Sequence, residues 1–180
     1  DTDLTLLADF RDLKTTSNPP EILGPKRQRS RALAYEPAFD QNNQRQWQLG
    51  YQFEHRFNDA WRLRQNLRTA EARWDAKAVG YTSIVDDLAA DVARDAYIDS
   101  ERQRYTALDT HVQGLFATGA IGHTVLLGVD YLQTRWDKTG YSGPGPTLNP
   151  LRPVYGQAVT PPSTLTTRRD SSLQQLGFYA

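Results

Sequence analysis

The sequence predicts an all-β protein, an antiparallel up-and-down meander of about six long strands with long extracellular loops, suited to a segment of a transmembrane β-barrel. Three observations predict it. Apolar and polar residues alternate with a period of two over stretches far longer than the about five or six residues of an ordinary soluble strand. The connections between these stretches run long, short, long, short, long. Aromatic residues gather toward the two ends of the stretches, as they do where a barrel meets its membrane interfaces.

The organising stretch is Tyr105 to Trp136, read as a strand over 105–117, a tight turn at Thr118-Gly119-Ala120-Ile121 and a strand over 122–136. Leu108, Thr110, Val112 and Phe116 share one face of the first arm, opposite Asp109, His111 and Gln113. Val125, Leu127, Val129 and Tyr131 share a face of the second, while the other side mixes Thr124, Gly128 and Asp130 with Leu126 and Leu132. Ahead of this hairpin, 3–10 alternates as a short strand, and residues 11–44, rich in Pro, Asn and basic residues, read as a long loop. Residues 45–57 alternate most cleanly. Trp47, Leu49, Tyr51, Phe53 and Phe57 oppose Gln46, Gln48, Gly50, Gln52, Glu54 and Arg56. Asn58-Asp59-Ala60 is a turn, and a return strand over 61–74 sets Trp61, Leu63, Gln65 and Leu67 against Arg62, Arg64, Asn66 and Arg68. Residues 75–104 read as a second long connection, in which Leu88, Val92 and Ala96 at i, i+4, i+8 suggest a short helix over 86–97. Residues 137–171 read as a third loop, and 172–180 open another strand.

From Trp47 to Phe57 a tilted strand climbs roughly 25 Å, the height of a barrel's apolar band between its aromatic girdles. Phe57, Trp61 and Phe116 lie beside the short turns, with Trp47 and Tyr131 toward the other end. Mean hydropathy is on the polar side, yet hydropathy is nearly blind to barrels, because half of each strand faces polar space. Lysine plus arginine balance aspartate plus glutamate at 21 each, so no overall field points to nucleic acid. Cysteine is absent, which excludes disulfides and thiolate metal sites. The lack of methionine, the absence of a visible signal peptide and an end inside a strand-like run lead us to expect a piece of a longer protein.

The residues now placed resemble a family. Leu49 to Arg68 (LGYQFEHRFNDAWRLRQNLR) and Ala107 to Tyr131 (ALDTHVQGLFATGAIGHTVLLGVDY) are similar to consecutive strand-turn-strand blocks of TonB-dependent siderophore receptors of the ferrichrome type. Ala34 to Asp40 (AYEPAFD) resembles that family's Gly-Glu-Pro loop, with Tyr35 where glycine is usual, and Leu176 to Ala180 resembles the start of its next strand. The resemblance implies part of a barrel of about 22 strands, with the N-terminal plug domain absent from this stretch. It implies outer-membrane import of ferric siderophores for iron acquisition in a Gram-negative bacterium. The energy would come from the TonB-ExbB-ExbD complex, contacted through the missing N-terminal region. Iron would travel wrapped in its chelator, so no cofactor or protein-held metal is expected.

Candidate functional residues follow from the alternation and from the resemblance. Arg56, Arg62, Arg64 and Arg68, with Glu54 nearby, are expected on the lumen face, as a basic wall for anionic chelates or, more plainly, as ion-pair partners of carboxylates. The resemblance implies external pocket aromatics, for which Tyr81, Tyr141, Trp74 and Trp136 are the candidates; Tyr81 sits in a VGYT run instead of a doubled-tyrosine motif. The plainer reading is girdle or loop packing. His55, His111 and His123 lack metal-ligand spacing, and Asp86, Asp87 and Asp91 lack the spacing of a calcium loop. No nucleophile elbow or phosphate loop is present, so no enzyme is expected. Two other readings stand beside this one. A soluble β-sandwich would use the loops 11–44, 75–104 and 137–171 as a recognition surface, and a TonB-dependent receptor could take another cargo such as haem or cobalamin.

Overall fold

The computed structural model describes residues 1–16, 19, 21–22, 24, 30–84 and 91–180. Six strands follow one another: β1 (Thr2–Thr15), β2 (Gln41–Arg56), β3 (Trp61–Ile84), β4 (Val92–Thr118), β5 (Ile121–Pro144) and β6 (Thr164–Tyr179). They form one sheet in sequence order, each antiparallel to the next. Among the described residues no second sheet covers either face, which removes the β-sandwich reading.

The short turns are built locally. Asn58 Oδ1 accepts the amide hydrogens of Ala60 and Trp61, both at 2.9 Å, and closes the β2–β3 turn. Gly119 takes a positive φ of 63° in the β4–β5 turn, a conformation glycine adopts without steric cost. These turns fix the register, and the register carries the two faces across the whole sheet. Tyr51, Leu67, Leu108, Tyr131 and Leu176 stand in one row, while Gln52, Asn66, Asp109, Asp130 and Gly177 stand in the row behind them. Tyr131 is therefore level with Tyr51 in the middle of the apolar band, not at its end as the alternation alone suggests.

The strands run further from the short turns than the alternation of apolar residues predicts. Of the expected connection 75–104, only residues 85–91 lie between strands, and β5 continues to Pro144 before a connection that ends at Thr164. The first connection shrinks likewise, because β1 reaches Thr15 and β2 begins at Gln41. The missed segments keep a period of two but put charge where apolar residues stood. On the apolar face the row of Trp47 and the row beyond it turn ionic. Asp12 pairs with Arg45 at 3.1 Å, Glu71 with Arg73 and Arg102 at 2.7 and 2.5 Å, Arg104 with Asp137 at 2.9 Å, and Arg135 with Asp170 at 3.2 Å. This ladder crosses all six strands and ends the apolar band.

The helix expected over 86–97 is not formed where it can be checked. Val92 to Tyr97 opens β4, and 86–90 lie outside the described residues. The i, i+4 spacing of Val92 and Ala96 fits a strand as well as a helix, and here Val92, Arg94 and Ala96 alternate as buried residues of one strand face. They are buried because the long connections fold back over the outer end of the β3–β4 hairpin. Ile22, Ala32, Ala34, Val92 and Leu148 form a small apolar core there, with Tyr155 packed against it.

Candidate ligand-binding vestibule

At the level of the ionic ladder and just beyond it, the polar face of the sheet carries a cluster drawn from five strands. Trp74, Glu101, Lys138 and Arg169 occupy a single register row across β3, β4, β5 and β6. The Trp74 indole Nε1 donates to Asn42 Oδ1 of β2 at 2.6 Å, which fixes the ring against the wall. Lys138 Nζ lies 5.7 Å from the centre of that ring and 3.7 Å from Glu101. Gln103 donates to the same glutamate at 2.7 Å. One row nearer the short turns, the guanidinium of Arg169 covers the Trp136 ring at 4.6 Å. The Trp136 Nε1 is buried and has no hydrogen-bond partner among the described residues. Gln44, Gln46, Ala72, Trp74, Glu101 and Gln103 line a shallow depression beside it. Two aromatic planes, each paired with a cation, suit a flat or polyoxygenated ligand with anionic edges.

The four aromatics named from the sequence do not all converge. Trp74 and Trp136 share this wall. Tyr81 is level with Arg94 and Tyr141 with Ile98, and strand parity sets both tyrosines on the opposite face, where they are exposed. The distance along the chain was a usable signal; the side of the strand depended on how far the strand extended.

Closer to the short turns, Glu54 accepts from Arg64 at 2.6 Å and pairs with Arg62 at 3.3 Å on the polar face. Arg68 stands on the same face, opposite Gly50 and Ala107, and Arg56 opposite Arg62. Among the described residues Arg56 and Arg68 make no ion pair. Asp109 was not singled out by sequence, yet it accepts from the Tyr179 hydroxyl at 2.7 Å and bonds His111 Nδ1 at 3.0 Å. His55 bonds the Thr2 hydroxyl at 2.7 Å, and His123 stacks on Phe116 at 5.0 Å. The three histidines thus lie apart, each with its own neighbour. Asp91 accepts from Asn149 at 3.0 Å, while Asp86 and Asp87 lie outside the described residues. Among the described residues no group of three or more metal-ligating side chains forms, and no helix is long and apolar enough to cross a membrane.

A single sheet of strands this long, apolar on one face up to an ionic border and polar on the other, is the wall of a transmembrane barrel. Comparison with known proteins agrees. The family model for the TonB dependent receptor-like β-barrel matches residues 1–180. The chain belongs to the TonB-dependent receptor β-barrel family. It is 33% identical over 144 residues to the ferrioxamine B receptor of Salmonella typhimurium, covering 80% of this chain and 20% of that protein. It is 37% identical over 125 residues to the ferrichrome outer membrane transporter/phage receptor of Escherichia coli K12, covering 59% and 17%. Among solved structures, the closed form of the ferric-catecholate import receptor Fiu from K12 E. coli superposes with a TM-score of 0.61 at 18% identity, over 97% of this chain and 28% of that one. The chain thus spans about 20% of the length of the curated relatives it matches.

Proposed function

We propose that this chain belongs to the wall of an outer-membrane receptor that imports ferric siderophores. The apolar face of β1–β6 touches lipid up to the ionic ladder, and the polar face lines the bore. The observation that carries the reading is the family match over the whole chain, together with relatives named for ferrioxamine and ferrichrome. Energy reaches the receptor from the TonB-ExbB-ExbD complex through a region of the protein other than this barrel segment. Iron enters already chelated, so the wall needs no metal ligands of its own, and the reading assigns it no catalytic step.

Within this reading Trp74 and Trp136, with Lys138 and Arg169, form one side of the outer vestibule and meet the chelate. The test is uptake of radiolabelled iron by cells carrying the intact receptor as their sole siderophore importer. Ferrioxamine B and ferrichrome are the primary cargoes, with haem and cobalamin as controls. Uptake of haem or cobalamin alone would overturn the siderophore assignment. Trp74→Ala and Trp136→Ala are expected to weaken binding about tenfold each, the scale of one lost aromatic contact. Tyr81→Ala and Tyr141→Ala, on the other face, should leave affinity unchanged. An equal loss at all four positions would remove the vestibule assignment and leave the cargo test standing.

A further inference from the structure

The connections at the outer end of the sheet are joined by one fully buried ion pair. Arg94 Nη2 meets Glu36 Oε1 at 2.6 Å, and both side chains are 0% exposed. Arg94 sits near the outer end of β4, two residues after its first, and Glu36 lies in the β1–β2 connection. Both also reach the β5–β6 connection, and Arg94 bonds the backbone beside Glu36 as well. Arg94 Nε donates to the carbonyl of Pro146 at 2.6 Å and Nη1 to the carbonyl of Tyr35 at 3.1 Å. The second Glu36 oxygen accepts the amide hydrogens of Gly156 and Gln157, at 2.7 and 3.0 Å, from the β5–β6 connection. Gly156 turns these two amides onto one oxygen by taking a φ of 84°, in the left-handed region.

Around the pair, further bonds tie the same three segments together. Val92 and Leu148 exchange backbone hydrogen bonds at 2.9 and 3.1 Å, and Gly145 donates to the carbonyl of Arg94 at 2.8 Å. The Tyr155 hydroxyl accepts from the Leu33 amide at 2.9 Å, and its ring lies 5.1 Å from that of Tyr35. The Glu36 amide donates to Asp40, which also accepts from the Val79 amide, both at 3.1 Å. Two residues further on, Asn42 holds the Trp74 indole.

We propose that Glu36 and Arg94 latch the described part of the β1–β2 connection, the outer end of β4 and the β5–β6 connection into one cooperative unit. The unit opens and closes as a single body. A buried charge left without its partner is strongly destabilising, so the β1–β2 connection and the outer end of β4 cannot part without stranding Glu36 or Arg94. Loss of the β5–β6 connection strips the buried pair of the Pro146 carbonyl and the Gly156 and Gln157 amides. The Glu-Pro sequence at 36–37 thereby acquires a structural role, because its carboxylate is the point at which the segments meet. The outer rim on this side is a preformed wall, not a set of separately moving loops. This inference does not depend on which cargo the receptor takes.

Hydrogen exchange on the full-length receptor in detergent, without ligand, tests it. The amides of Ile22, Val92, Leu148 and Gly156 report on the three segments. In the unsubstituted protein they are expected to share one opening equilibrium. Widely different equilibria among the segments would overturn the proposal even if no variant assembles. Glu36→Gln and Arg94→Gln should each raise exchange roughly a hundredfold in all three segments together, with the β4–β5 turn unaffected. Acceleration confined to the substituted segment would also overturn it.

Discussion

Gly50 and Gly122 share a residue type and have opposite surroundings. A Cβ built on Gly50 would press on the backbone carbonyl oxygen of Leu67 across the β2–β3 pairing, where no side chain can rotate away. At Gly122, beside the β4–β5 turn, a Cβ meets nothing within 4 Å. Gly50→Ala must push two paired strands apart, at a cost of about 1–3 kcal/mol, the usual range for overpacking. Gly122→Ala should be neutral. The check is the temperature at which each receptor variant loses its folded mobility on an unheated gel; equal temperatures would contradict the close approach. Strand alternation places both glycines without saying which of them is crowded, because crowding depends on how the sheet twists at that row.

At the scale of the strand, the two faces make opposite demands on neighbouring residues of β2. Tyr51 stands mid-band on the apolar face, and Gln52 follows it on the polar face beside Asn66. The apolar face still carries polar atoms in this region, but they are paired along the sheet. The Tyr51 hydroxyl donates to Gln65 Oε1 at 2.6 Å, and Gln65 Nε2 donates to Thr110 at 2.9 Å. That chain explains how Gln65 is tolerated among Leu63 and Leu67. Lysine at position 51 would face hydrocarbon, at a cost of about 2–4 kcal/mol near the bilayer midplane, and would break the chain as well. Tyr51→Lys should block assembly into the outer membrane, and Gln52→Lys should assemble normally, as read by the folded receptor in membrane fractions. Reversed yields would mean that the faces are assigned the wrong way round, and equal yields would contradict lipid contact on either face. The inner halves of the strands were legible because apolar residues such as Val125, Leu127 and Val129, or Leu49, Tyr51 and Phe53, recur at every second position. The outer halves were not. Glu71, Arg73 and Asp75, facing Arg104, Arg102 and Ser100, keep the same period in charge, and a search for apolar alternation ends where the membrane does. The complementary signs of Glu71 and Arg102 were the signal available for extending both strands.

For the molecule as a whole, the barrel wall was legible and the arrangement of the proposed vestibule only half so. Trp74 and Trp136 were named because they end the strands read over 61–74 and 122–136, whereas the face of Tyr81 and Tyr141 needed a strand parity that only the full length of β3 and β5 supplies. The Glu36–Arg94 meeting was out of reach, since it joins residues from two connections and a strand tip through contacts that no local period encodes. The architecture has a further consequence for the 180-residue chain taken alone. Its sheet is paired internally in the order β1 to β6, so β1 and β6 each have a neighbour on one side only. Leu4, Leu6 and Phe10 on β1, Leu49 on β2, Leu127 on β5, and Leu176 and Phe178 on β6 are all exposed. Two free strand edges and a contiguous apolar face of this kind template association with any similar surface. In water the excised chain should therefore sediment as polydisperse aggregate, and in a mild detergent it should disperse with β-rich circular dichroism. A water-soluble monomer with a single sharp unfolding transition would require the apolar face to be covered by the chain itself. The rows through Tyr51 and Leu176 would then have to pack against protein and not against lipid.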